Sequence, residues 1–254
     1  MNIGYDPYVG TMNQFDVKGI IEEVGRSGYV ALNLPLKDNF VNPENEEQLQ
    51  RLEDLLKVAG LSTPSICVAP FLWTTPGSFE VTQNRVDVAI RIADRFNAQL
   101  LTMWPNLPKG VSKEDALSAL SKNMKAAVPR AQDAGYPIAF EFEKGCTVDN
   151  YREAIEFIRE TDPRIRIVAD SYHIYNDGAD PYEAVVAMKG LIGEIHISAS
   201  DRGEPGSQTD VFDYEAFVRG VEEIGFDGPV MLQYKLEDPA SIRRACEFTK
   251  SLFA

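Results

Sequence analysis

Eight short apolar runs, each followed by a loop and a longer amphipathic stretch, set the strongest limit on how this chain can fold. They cover residues 2–6, 29–33, 63–68, 99–104, 137–143, 166–170, 194–198 and 230–234. They recur at intervals of roughly thirty residues, the length of one strand plus one crossover helix. Between them the apolar positions take helical spacing. Asn42-Pro43 opens a helix whose apolar positions Leu49, Leu52, Leu55, Leu56 and Ala59 keep that spacing, and Gly60 stops it. Val86, Ala89, Ile90, Ala93 and Phe96 form a second stripe; Leu117, Leu120, Met124, Ala127 and Val128 form a third, ended by Gly135. Asp180-Pro181 and Asp238-Pro239 each predict a capping carboxylate before a proline at the first helical position. Alternating strands and helices require parallel pairing through right-handed crossovers. Eight such units predict closure into a barrel. The alternative is a doubly wound sheet, but no GxGxxG follows the first run to support it. The expected fold is therefore α/β, a single (β/α)8 TIM barrel spanning 1–254, with its active site at the carboxyl ends of the strands.

Composition narrows the partners. Hydrophobic residues make up 44% of the 254 and charged residues 25%, enough apolar material for one core. No run approaches the roughly 20 apolar residues that span a bilayer. The first residues lack a basic patch followed by an apolar stretch, so no signal peptide is expected. Cys67, Cys146 and Cys246 are odd in number and widely spaced, as free thiols in a reducing cytoplasm would be. Cys146 follows a strand and reads either as a packed thiol or as a reactive nucleophile. A net charge of −14 repels phosphate backbones and anionic headgroups. Nucleic acid and membranes are thus not expected partners, and a neutral or metal-chelated small molecule is.

The strand ends carry the chemistry. The fifth run ends Phe140-Glu141-Phe142-Glu143, and alternation along a strand turns Glu141 and Glu143 the same way, towards the mouth if Ala139 faces inward. The sixth ends at Asp170, with His173 three residues on. The seventh carries His196, followed by Asp201, Arg202 and a Pro205-Gly206 turn; the eighth carries Gln233, then Lys235. Singly, the carboxylates could pair with Lys144, Arg166 or Arg202. Together, Glu141, Asp170 and His196 converge from successive strands as a hard-to-borderline donor set for one divalent metal ion, Mn²⁺, Mg²⁺, Co²⁺ or Zn²⁺.

These segments, PIAFE, VADSYH, IHISASDRGEPG and VMLQ, resemble the xylose-isomerase-like barrel superfamily of sugar isomerases, epimerases and related lyases. The resemblance implies that Glu141, Asp170 and His196 bind the metal, Mn²⁺ first among the candidates. It also implies that His173 and Arg202 bind substrate oxygens, where a cation and a ring donor stabilise a developing enediolate. Relatives end the last strand in Glu. Gln233 can still ligate a metal through its amide oxygen, but an amide is no general base near neutral pH. Glu143 is the candidate replacement. Asn33 is a second departure, at a position where many relatives are acidic. Trp73 and Trp104, near the ends of the third and fourth runs, are candidate walls for a sugar pocket. Asp6, Asn13 and Asn106 are candidate hydroxyl-binding groups.

Three functions follow as expectations. The first is a metal-dependent isomerase or epimerase of a ketose or keto-sugar, acting through a metal-stabilised enediolate. The second is a lyase or dehydratase on a keto-sugar, keto-polyol or 3-keto-glycoside, with Glu143 or Glu141 as base. The third is a non-catalytic sugar-binding homologue, motivated by Gln233. The superfamily's DNA-repair endonucleases use three zinc ions and many histidines, whereas this chain has only His173 and His196. The resemblance also implies pairing into homo-oligomers.

Overall fold

The structure, a computed structural model, describes residues 2–9, 11, 14–69 and 72–254. The described residues form one parallel sheet of nine strands: β1 (Ile3–Tyr5), β2 (Ala31–Leu32), β3 (Leu34–Pro35), β4 (Ser65–Cys67), β5 (Leu100–Met103), β6 (Ile138–Glu141), β7 (Arg166–Asp170), β8 (Ile192–Ile197) and β9 (Val230–Leu232). Neighbours run β2-β1-β9-β8-β7-β6-β5-β4-β3, a nearly closed TIM barrel.

One strand was expected from the second apolar run, and the structure divides it at Asn33. There the chain changes partner. The amide of Asn33 still donates to Tyr5 O on β1 at 3.0 Å, whereas that of Leu36 donates to Cys67 O on β4 at 2.9 Å. Eight positions around the barrel are therefore filled by nine strands.

Helices cover the outside: α1 (Val17–Arg26), α2 (Glu46–Ala59), α3 (Phe79–Phe96), α4 (Lys113–Asp133), α5 (Tyr151–Thr161), α6 (Ser171–Asn176), α7 (Pro181–Ala187), α8 (Tyr214–Ile224) and α9 (Ser241–Leu252). The predicted stripes face inward, with Leu49, Leu52 and Leu56 buried on α2 and Leu120, Met124, Ala127 and Val128 on α4. Asp180 caps α7 as expected, accepting from Glu183 N at 2.9 Å. Two other expected starts move. Asn42 closes a turn by accepting from Glu44 N at 3.0 Å, and the cap of α2 is Asn45, which accepts from Gln48 N at 3.0 Å. Asp238 likewise closes a turn onto Ala240 N at 3.0 Å, so α9 begins at Ser241. In both cases the Asx side chain satisfies a nearer amide and delays the helix. Among the described residues, no helix is long and apolar enough to cross a membrane.

Alternation on β6 sets the site. Ile138 and Phe140 join the main core beneath the helices, whereas Ala139 belongs to a separate apolar cluster with Leu100 and Val168. Ala139 thus faces the barrel axis, and so does Glu141, two residues on. A register shift between β7 and β8 at Ile167/Val168 brings Asp170 opposite His196. Gly193 sits at that shift, where a Cβ would lie 3.0 Å from Arg166 Cβ. The bulge therefore decides which residue of β8 stands beside Asp170.

Candidate metal centre and substrate pocket

Asp170 ends β7 and caps α6, its Oδ1 accepting from Tyr172 N at 2.7 Å. That cap explains the Asp-x-x-His spacing: the first turn of α6 brings His173 back beside the carboxylate that started it. Glu141, Asp170 and His173 each offer a ligand atom, all within 4.8 Å of one another. His196 stands against the same carboxylate, with Nδ1 3.1 Å from Glu141 Oε1. Its Nε2 lies 2.7 Å from Glu194 Oε1. All four of Asp170, His173, Glu194 and His196 are buried.

Arg202 ties this group together. Its Nη1 donates to Asp170 Oδ2 at 2.8 Å and lies 2.9 Å from His173 Nε2, and its Nη2 donates to Gln233 Oε1 at 2.6 Å. A guanidinium has no lone pair to offer, so His173 accepts through Nε2. Arg202 holds a left-handed backbone, φ 67°, that costs a non-glycine residue about 1–2 kcal/mol. Its neighbours impose it: Arg202 N donates to Ala199 O at 2.9 Å, and Lys235 N donates to Arg202 O at 2.8 Å. Of the three partners considered for the strand-end carboxylates, Arg202 is the one that pairs with Asp170. Lys144 donates to Asn176 O and Arg166 to carbonyls of residues 163–165.

Charge follows from this packing. Burial alone would raise the Glu141 carboxyl, but the hydrogen bond to His196 and the neighbouring His173 and Arg202 hold it well below the usual carboxylate range. Burial likewise disfavours a charged His196, yet its bonds to Glu141 and Glu194 outweigh that and hold the ring well above the ordinary histidine range. A proton therefore bridges the Nδ1 of His196 and Glu141, in a place where a cation could take its role. Buried carboxylate oxygens and imidazole nitrogens converging on one point fit a divalent metal ion.

Above this group opens a cavity of about 340 Å³. Glu141, His196, Arg202 and Gln233 form its base, and Glu143, Trp104 and Asp6 line it too. Trp73, also expected to wall the pocket, is instead buried in the main core, with its carbonyl accepting from Asn123 Nδ2 at 2.7 Å. It lies six residues beyond β4, and the chain there has already turned down onto α4. Asn106 does not line the cavity; it bonds Thr74 and Thr147 in the strand-end loops. Asn13 lies outside the described residues. The nucleophile reading of Cys146 fails: burial and the adjacent Glu143 push its thiol up to about 12, so it stays protonated.

Sequence reasoning passed over Glu194. It precedes His196 by two residues and so shares its strand face, which was the available clue. Tyr172 was also passed over; it lines the cavity and lies beneath the Arg202 guanidinium at 5.0 Å.

The chain matches the xylose isomerase-like TIM barrel family over residues 21–252. It belongs to that family. A ketose 3-epimerase from Arthrobacter globiformis is 25% identical over 249 residues, 92% of this chain and 83% of that protein. D-psicose 3-epimerase from Clostridium cellulolyticum H10, solved with D-tagatose, superimposes with a TM-score of 0.85 at 14% identity, covering 99% of each chain. The 3-keto-D-glucoside 4-epimerase of E. coli does so with a TM-score of 0.82 at 15% identity, again over 99% of each. The chain is an enzyme of this barrel family.

Proposed function

We propose that this protein is a divalent-metal-dependent isomerase or epimerase acting on a ketose or keto-sugar. The observation that carries the reading is the buried convergence of Glu141, Asp170 and His173 beneath a sugar-sized cavity, with His196 against Glu141. Glu141, Asp170 and His196 would hold the ion, a carboxylate and imidazole set that admits Mn²⁺, taken as the first candidate, as well as Mg²⁺, Co²⁺ and Zn²⁺. His173 is assigned to the substrate side through Arg202, which lines the cavity and donates to its Nε2. When bound, such an ion supplies positive charge that acidifies the carbon next to a carbonyl.

The chain's own residues do the rest. Glu143, on the face of the cavity shared with Glu141, takes the proton from the carbon alpha to the carbonyl, and the electron pair moves onto the carbonyl oxygen. Arg202, fixed by Asp170, Gln233 and the accepting Nε2 of His173, presents its charge to that oxygen. The Glu143 carboxylic acid then gives the proton to the former carbonyl carbon while the enediol's hydroxyl proton leaves its oxygen for the other one, which completes an isomerisation. Inversion at the original carbon instead takes a proton from water on the opposite face, with Glu143 releasing its own to solvent. Trp104 offers an apolar face to the C–H side of the sugar.

Gln233 favours a second reading. Its oxygen already accepts from Arg202, and an amide cannot exchange protons, so the candidate acid–base carboxylates, Glu141 on β6 and Glu143 two residues on, stand on one side of the mouth. An elimination needs one base only, which makes a lyase on a keto-sugar or 3-keto-glycoside the alternative. Turnover of a panel of ketoses and 3-keto-glycosides in D₂O with Mn²⁺ separates the two. Deuterium in recovered sugar or in an isomeric product supports the isomerase or epimerase; an unsaturated product moves the assignment to a lyase. Metal binding without turnover of any panel member would overturn both and favour a sugar-binding role.

A further inference from the structure

Glu194 is the most buried charge of the barrel interior that the reaction does not use. Neither of its oxygens reaches solvent, and Oε1 gathers three donors: His196 Nε2 at 2.7 Å, Asn33 Nδ2 at 2.8 Å and Ser65 Oγ at 3.4 Å. Oε2 has no partner. Asn33 Nδ2 also donates to Asp6 Oδ2 at 3.0 Å, so one amide spans two buried carboxylates. A buried carboxylate with an oxygen left unpaired is a poor device for stability, because desolvation opposes it. Its placement makes sense as a grip on His196.

We propose that Glu194 is a positioning residue that holds the His196 ring by Nε2, turning Nδ1 towards Glu141 and the metal site. Asn33 is the clamp that keeps Glu194 in place. A second carboxylate at position 33 would face Glu194 and Asp6 directly; the amide instead donates to both. Groups that orient a ligating histidine through its remote nitrogen typically alter metal affinity 10–100-fold when removed. The inference rests on the assignment of His196 as a ligand.

Mn²⁺ affinity of the full chain tests it, measured by calorimetry for the wild type, Glu194→Ala and Glu194→Gln. Glu194→Ala is expected to bind about 10- to 100-fold more weakly. Glu194→Gln keeps an acceptor oxygen and should lose less than about tenfold. A folded Glu194→Ala protein that binds Mn²⁺ as tightly as wild type overturns the proposal. A second readout needs neither the metal nor a variant that folds. The chain has two histidines, so ¹⁵N-histidine spectra resolve both rings. The His196 Nε2 proton should be strongly hydrogen-bonded and slow to exchange in the metal-free wild type, and a freely exchanging proton there contradicts the proposal. If the wild type binds no metal, the ligand assignment fails, and the ring proton still decides whether Glu194 holds His196.

Discussion

The two walls of the barrel mouth are built from the same backbone but different chemistry. On the β6–β8 side the strand ends bear Glu141, Asp170 and His196, with Glu143 and His173 just beyond. On the β9–β1–β2 side they bear Gln233, Asp6 and Asn33. The amides of the second wall hold other side chains: Gln233 accepts from Arg202, and Asn33 donates to Asp6 and Glu194. On the proposed reading, one wall binds a cation and exchanges protons, and the other fixes the groups that do so. Symmetry of fold therefore does not imply a symmetric pair of bases, since an amide cannot take up a proton where a carboxylate can.

The comparison can be broken first at Glu141. Glu141→Ala removes a ligand and a carboxylate from the reactive wall, and kcat/KM on the substrate found in the screen should fall by about 1,000- to 10,000-fold. Unchanged turnover would remove this wall from the chemistry. Glu143→Gln is expected to lower kcat about 100- to 1,000-fold while Mn²⁺ affinity stays the same, since Glu143 acts on the proton and not on the ion. Gln233→Glu makes the two walls alike. It should preserve kcat or raise it by up to about tenfold, and a solvent-deuterium assay should show whether exchange now occurs at a second face. Trp73→Ala lies off the comparison altogether. Because Trp73 is core, denaturant unfolding should show a loss of about 3–5 kcal/mol with KM unchanged.

Much of this was legible in the sequence, because apolar runs that end in charged residues leave few places for those charges other than the barrel mouth. The alternation of Ala139, Glu141 and Glu143 fixed their common face, and the cap geometry of Asp170 carried His173 with it. What was less legible depended on contacts between distant segments. Nothing local in residues 29–33 reveals that Asn33 changes partner between β1 and β4. Trp73 reads as a pocket wall by its distance from β4, yet loop direction turns it into the core. Asn42 and Asp238 look like helix caps, but each spends its side chain on a nearer amide. Glu194 was readable by strand period and hidden by its neighbours, since its role depends on Asn33, 161 positions away.

The central claim is that Glu141, Asp170 and His196 form a divalent-metal site, and metal stoichiometry tests it most directly. Purified chain equilibrated with Mn²⁺ and freed of excess should hold one ion, and Glu141→Ala treated identically should hold none. A wild-type chain without metal, or a Glu141→Ala chain that keeps its ion, would contradict the account.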